Sequence, residues 1–115
     1  MAQGTPKRIA GPAYLPNAAA DIYTPPANTM YILINHIHVA NVTAISATFT
    51  LYVGATGGSA AGTELEKAYA IAANSDYDKY FSPGLIMKST DFLSGLASAG
   101  SSLVITVMGQ QLVIP

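Results

Sequence analysis

The pair of residues best suited to chemistry is His36 and His38, two apart in the run MYILINHIHVA from Met30 to Ala40. In a strand, residues two apart share a face and stand roughly 6–7 Å from each other along it. Two imidazoles so placed can supply two ligands to zinc or copper. No motif in the sequence supplies a third and a fourth. The expectation is that both rings line a polar sheet face or a subunit contact, with no metal and no cofactor.

Paired carboxylates are the other route to catalysis, because one can donate a proton while the other accepts one. Glu64 and Glu66 adjoin a glycine-rich segment, Asp76 and Asp78 flank a turn, and Asp21 and Asp91 stand alone. Turns, caps and solvated strand faces account for all of them, so no catalytic residue is assigned and the chain reads as non-enzymatic. It has no Gly-x-Ser-x-Gly elbow, Walker A loop or dinucleotide fingerprint. Seven tyrosines (14, 23, 31, 52, 69, 77 and 80) could form a stacking platform for sugars, or could serve as core-rim and interface residues.

Composition narrows the choice further. The chain has 115 residues, enough for one domain, and half of them are hydrophobic. Charged residues make up 10%, against roughly 25% in an average soluble domain. The net charge of −1 offers no electrostatic grip on nucleic acid or on an anionic membrane. With no cysteine, disulfides and thiolate metal sites are excluded. The apolar run Met30–Ile34 is far short of the ~20 residues that cross a bilayer. No apolar stretch follows Lys7-Arg8, so cytoplasmic synthesis is expected, and the sequon Asn41-Val42-Thr43 reads as a chance match.

The elements that position these residues read as strands. Prolines 6, 12, 16, 25 and 26 punctuate the start, giving an extended arm over residues 1–11 and short strands near 13–15 and 21–24. Met30–Ala40 is the strongest strand, with Tyr31, Leu33, Asn35, Ile37 and Val39 on one face and Ile32, Ile34, His36 and His38 on the other. Ala47–Val53 alternates, and Gly54–Gly62 is a loop of small residues. Glu64–Ala73 has helix-forming composition, but its alternation and its neighbours favour a strand. Tyr77–Phe81, Leu85–Met87, Phe92–Ala97 and Ser102–Met108 follow, with a bulge at Gly109–Gln111 before Leu112-Val113-Ile114. Turn signals every 8–12 residues predict an all-β antiparallel sandwich, jelly-roll-like or Greek-key, over residues 12–115.

A free small domain stays soluble behind a charged, mixed surface. Here nineteen alanines and ten glycines occupy much of the exterior, and such a surface suits flat contact with neighbouring subunits. The expected contact residues are Thr5, Pro6, Lys7, Arg8 and Ile9 of the arm, His36 and His38, and Leu112, Val113 and Ile114.

The runs Lys7-Arg8-Ile9-Ala10-Gly11-Pro12, Tyr23–Thr29, Ile37-His38-Val39-Ala40-Asn41-Val42-Thr43 and Ala47–Gly54 are similar to small structural proteins of tailed bacteriophages. So are Gly62-Thr63-Glu64-Leu65 and Ser102–Gly109, although Met108 stands where that family often has a small polar residue. The resemblance spans roughly residues 8–113 and lies in strand texture. It implies a virion protein: a capsid decoration (cement) protein, or a head- or tail-associated subunit, with no catalytic residues to carry over. The expected partners are the major capsid protein and further copies of the chain, as a trimer. The expected location is the capsid surface, after synthesis in the bacterial cytoplasm. A tail or baseplate subunit and a carbohydrate-binding module on the virion are the alternatives.

Overall fold

The computed structural model describes residues 5–55 and 63–114. Its eight strands are β1 (Thr5–Tyr14), β2 (Ala20–Tyr23), β3 (Thr29–Asn41), β4 (Ala47–Gly54), β5 (Glu64–Ile71), β6 (Asp76–Lys88), β7 (Phe92–Ala97) and β8 (Leu103–Val113). β1 pairs with β8, β2 with β7, β3 with β6 and β4 with β5, all antiparallel. The chain is thus one long two-stranded ribbon. Folding the ribbon over brings β3 against β8 and β4 against β7. Two four-stranded sheets result, in the orders β1-β8-β3-β6 and β2-β7-β4-β5. This is the connectivity of a jelly-roll sandwich.

The inward faces supply the core. Ile32, Ile34, Ile37 and Val39 of β3 meet Phe49 and Leu51 of β4, with Leu103, Ile105 and Val107 of β8 alongside, and all are buried. Residues 5–11, expected to be an arm, lie in β1 along β8, and Ile9 is buried with the core. β1 is an edge strand, which is why it accommodates Pro6 and Pro12, residues that cannot donate to a ladder.

β3 departs from the expected alternation. Ile32 and Ile34 are buried together with Ile37 and Val39, so the inward set changes parity midway. The cause is a register break between Ile34 and His36, present against both β6 and β8. One extra residue, Asn35, resets which face each later side chain takes. His36 and His38 therefore share the outer face with Tyr31 and Leu33 instead of lying opposite them. Facing the break, Gly109 pairs with Ile34, and a Cβ there would collide with the Leu33 carbonyl. The irregularity expected at Gly109–Gln111 thus falls on the partner strand, and β8 runs through to Val113.

β6 answers the same break. Phe81, Ser82, Pro83 and Gly84 fall between Tyr80 and Leu85, the partners of His36 and Ile34. The Ser82–Gly84 turn expected from the sequence is absorbed as an irregularity inside one long strand. Gly84 has φ +136°, and its missing side chain leaves room for Leu33, whose Cδ1 would lie 2.7 Å from a Cβ. The ambiguous segment from Glu64 is a strand through Ile71. It is bulged where Ala68 takes φ +48° and donates its N–H to Thr50 Oγ1. Residues 56–62 of the expected Gly54–Gly62 loop lie outside the described residues.

Asn41 is buried at the end of β3. Its Nδ2 donates to the carbonyls of Ile45 and Ile71, at 2.9 and 3.1 Å. Its Oδ1 accepts from Thr43 N and Thr43 Oγ1, at 3.0 and 2.7 Å. The sequon asparagine is thus a fully bonded organiser of the β3–β4 turn.

Candidate functional site

Pairing of β3 with β6 brings the two histidines to a carboxylate remote in sequence. His38 lies opposite Asp78 and His36 opposite Tyr80. His36 Nε2 and His38 Nδ1 each stand 2.7 Å from the same oxygen, Asp78 Oδ1. The His36 ring stacks on Tyr80, with centroids 4.2 Å apart and planes 2° from parallel. His38 Nε2 is 3.9 Å from Asp76 Oδ2. Hydrogen bonds from His38, and then from His36, hold the Asp78 carboxyl below the usual carboxylate range by favouring its charged form. Among the described residues, His36, His38 and Asp78 are the group of potential metal ligands brought together, their ligand atoms all within 4.8 Å of one another.

The sequence singles out the two histidines but gives Asp78 no part with them, placing it beside a turn in the Tyr77–Phe81 strand. No local spacing marks a residue 40 positions away. The signal that would have found it is the β3–β6 register, and that register depends on the break at Asn35.

Around this cluster the outer face of the β1-β8-β3-β6 sheet is largely uncharged. Directly paired residues project to the same side, so the register gives rows across it. Arg8, Met108, His36 and Tyr80 form one row, and Pro6, Gln110, Leu33 and Ile86 form the next. Tyr80 is 71% exposed, Ile86 59% and Tyr14 56%. Of the expected contact residues, Pro6, Arg8, His36, His38 and Leu112 lie on this face. Lys7 turns to the other side, where its Nζ donates to Gln111 Oε1 at 3.0 Å, and Ile9 is buried in the core. Thr5 pairs with Gln111, which places the start of β1 beside the end of β8. Leu112 pairs with Tyr31, Val113 and Ile114 are exposed, and the Ile114 N–H donates to the Asn28 carbonyl at 2.8 Å.

The tyrosines do not gather into one platform. Tyr14 and Tyr80 occupy opposite edges of the outer face, while Tyr69 and Tyr77 pack on each other and on Phe49. Tyr77 donates its hydroxyl hydrogen to Glu66 Oε2 at 2.8 Å, in a cleft also lined by Ile37, Leu51, Leu65, Lys79 and Phe81. Burial, followed by the bond to Glu66 and its charge, pushes the Tyr77 hydroxyl well above the usual tyrosine range. A folded-state value raised in this way leaves stability intact below the unfolded tyrosine value of about 10 and erodes it above. Tyr77→Phe is expected to lose about 1 kcal/mol at neutral pH and to show a shallower loss of stability above pH ~10 than the parent chain. Urea midpoints measured across that range check this, and parallel pH slopes for the two proteins would refute it.

No protein-family model matches the sequence, and no curated protein does. Among solved structures, the fold is similar to a pentameric capsid protein from metagenomic phage sequences. The TM-score is 0.39 at 13% identity, covering 89% of this chain and 61% of that one. It is also similar to a chain in the structure of infectious bursal disease virus, Gx strain. There the TM-score is 0.40 at 13% identity, covering 97% of this chain and 31% of that one. The chain thus spans less than two thirds of the length of either.

Proposed function

We propose that the chain is a non-enzymatic structural protein of a tailed-phage virion. In this reading it is a capsid decoration protein that binds the outside of the head lattice as a homo-oligomer, a trimer, and bridges neighbouring major-capsid subunits. The observation that carries the reading is the outer face of the β1-β8-β3-β6 sheet. Its interior strands, β3 and β8, bring no charged side chain to it, Leu33, Met108, Gln110, Leu112 and the two histidines among their contributions, with charge confined to Arg8 on one edge strand and Asp76, Asp78 and Lys88 on the other. A weakly charged sheet face that still exposes Tyr80 and Ile86 fits a protein partner better than open water. The jelly-roll topology, by analogy of fold, and the resemblance in strand texture to small phage structural proteins are in keeping with it.

The mechanism is linkage. A protein that binds the assembled shell and not its dissociated subunits stabilises the shell, and symmetric repetition multiplies the effect. Deleting residues 1–10 is a poor test, because it removes most of β1 and takes Ile9 out of the core. Met108→Asp is cleaner: Met108 is half-buried at the centre of the face, and the core lies on the other side of the sheet. Wild-type protein is expected to run as a trimer by light scattering and to decorate expanded capsids of its phage. The variant is expected to keep its thermal transition and lose at least tenfold in occupancy. Undiminished decoration by the folded variant, or no decoration by the wild type, would overturn the proposal.

A further inference from the structure

The His36, His38 and Asp78 cluster has a geometry that a pair of ordinary hydrogen bonds does not require. A carboxylate has two oxygens, and two N–H donors have no need to share one. Here both rings aim a nitrogen at Asp78 Oδ1, from 2.7 Å each, and one ligand atom from each of the three side chains lies within 4.8 Å of the other two. We propose that a divalent transition metal of the zinc class binds between these atoms, held by His36 Nε2, His38 Nδ1 and an Asp78 carboxylate oxygen.

The surroundings fit. With metal–ligand distances of about 2.1 Å, neighbouring ligand atoms in a tetrahedral site stand about 3.4 Å apart. The three atoms, all within 4.8 Å of one another, reach that spacing through small side-chain rotations, with the backbone held by the β3–β6 ladder. A neutral imidazole that gives one nitrogen to a metal carries its hydrogen on the other. For His38 that other nitrogen is Nε2, which faces Asp76 Oδ2 at 3.9 Å. A rotation of the exposed Asp76 side chain that closes this gap would complete the carboxylate–histidine–metal relay that orients ligating histidines and raises their basicity. His36 is oriented differently, by its parallel stack on Tyr80. Two neutral imidazoles and a carboxylate leave a tetrahedral ion one open position, which water fills. The mixed nitrogen and oxygen donor set favours zinc or its neighbours over calcium or magnesium, which prefer all-oxygen sites.

The full chain, first stripped with chelator, is titrated with zinc by calorimetry and with cobalt(II) by visible absorption. One equivalent of zinc is expected to bind, and cobalt is expected to give the intense d–d bands of a tetrahedral site. His36→Ala, His38→Ala and Asp78→Asn should each weaken zinc at least tenfold, while Asp76→Asn should weaken it less. On zinc addition, the imidazole nitrogen resonances of His36 and His38 in the unsubstituted protein should shift together, a readout that needs no variant to fold. Absence of zinc binding, zinc binding indifferent to these variants, or unmoved histidine resonances would overturn the proposal.

Discussion

Gly109→Ala is expected to destabilise the fold by about 3 kcal/mol or more, at or beyond the upper end of the usual range for overpacking. The added Cβ would run into the Leu33 carbonyl and would stand 3.0 Å from the Ile34 Cα. Both are backbone atoms of the central strand β3, so no rotamer change relieves the contact. β3 sits between β8 and β6, and moving it disturbs two ladders together. Gly100→Ala provides the comparison. The nearest heavy atoms to a Cβ there are the Asn17 amide carbon and nitrogen, at 3.9 and 4.0 Å, and the change is expected to stay within about 0.5 kcal/mol. Chemical denaturation of the two variants beside the parent decides the matter. Equal midpoints for Gly109→Ala and Gly100→Ala would mean that the close approach of β8 to the β3 break is not a constraint.

The second large effect is expected at Phe49. Its side chain is 1% exposed, and its ring meets Tyr77 at 5.1 Å and Tyr69 at 5.9 Å between centroids. Phe49 therefore ties β4 to β5 and to β6 of the opposite sheet. Phe49→Ala is expected to cost about 3–5 kcal/mol, the transfer energy of the ring plus the cavity left behind. Phe49→Leu, which keeps most of the apolar volume, should cost roughly half as much. Against a total stability of about 5–15 kcal/mol for a domain of this kind, the alanine variant is expected to lose a large part of its cooperative unfolding transition. A thermal transition within a few degrees of the parent's would refute the assignment of this residue to the centre of the sandwich.

The strands were legible because period-two alternation and turn residues are local signals. Ala47–Val53 and Phe92–Ala97 appear close to where their patterns put them, and Glu64–Ile71 is a strand despite helix-forming composition because pairing with β4 overrides propensity. What was not legible depends on partners. The change of parity at Asn35 is imposed by how β3 meets both β8 and β6, and nothing within MYILINHIHVA announces it. The same holds for the site. His36 and His38 stand out as a pair, but Asp78 reads as a solvated carboxylate beside a turn until the β3–β6 register sets it opposite His38. Asn41 reads as a sequon, and only its four hydrogen bonds within the β3–β4 turn reveal its structural role. Ile9 was expected among contact residues and is buried: β1 runs along β8 from Thr5 to Tyr14, and the register shift between Arg8 and Ala10 falls at Ile9, whose side chain joins the core.

The outer sheet face links the two proposals. Its weak charge is the ground for a protein partner, and the His36–His38–Asp78 cluster sits between its apolar rows and the charged edge of β6. They remain separable, because Asp78→Asn leaves Met108 untouched, and the histidine resonances report zinc in the unsubstituted protein, where Met108 is intact.

Electron microscopy of purified virions, with the chain located by a bound antibody fragment, tests the central claim most directly. The expected result is density in symmetric, repeated copies over the outside of the head. Labelling confined to the tail would move the protein to another part of the particle, and purified virions that lack the chain altogether would contradict the account.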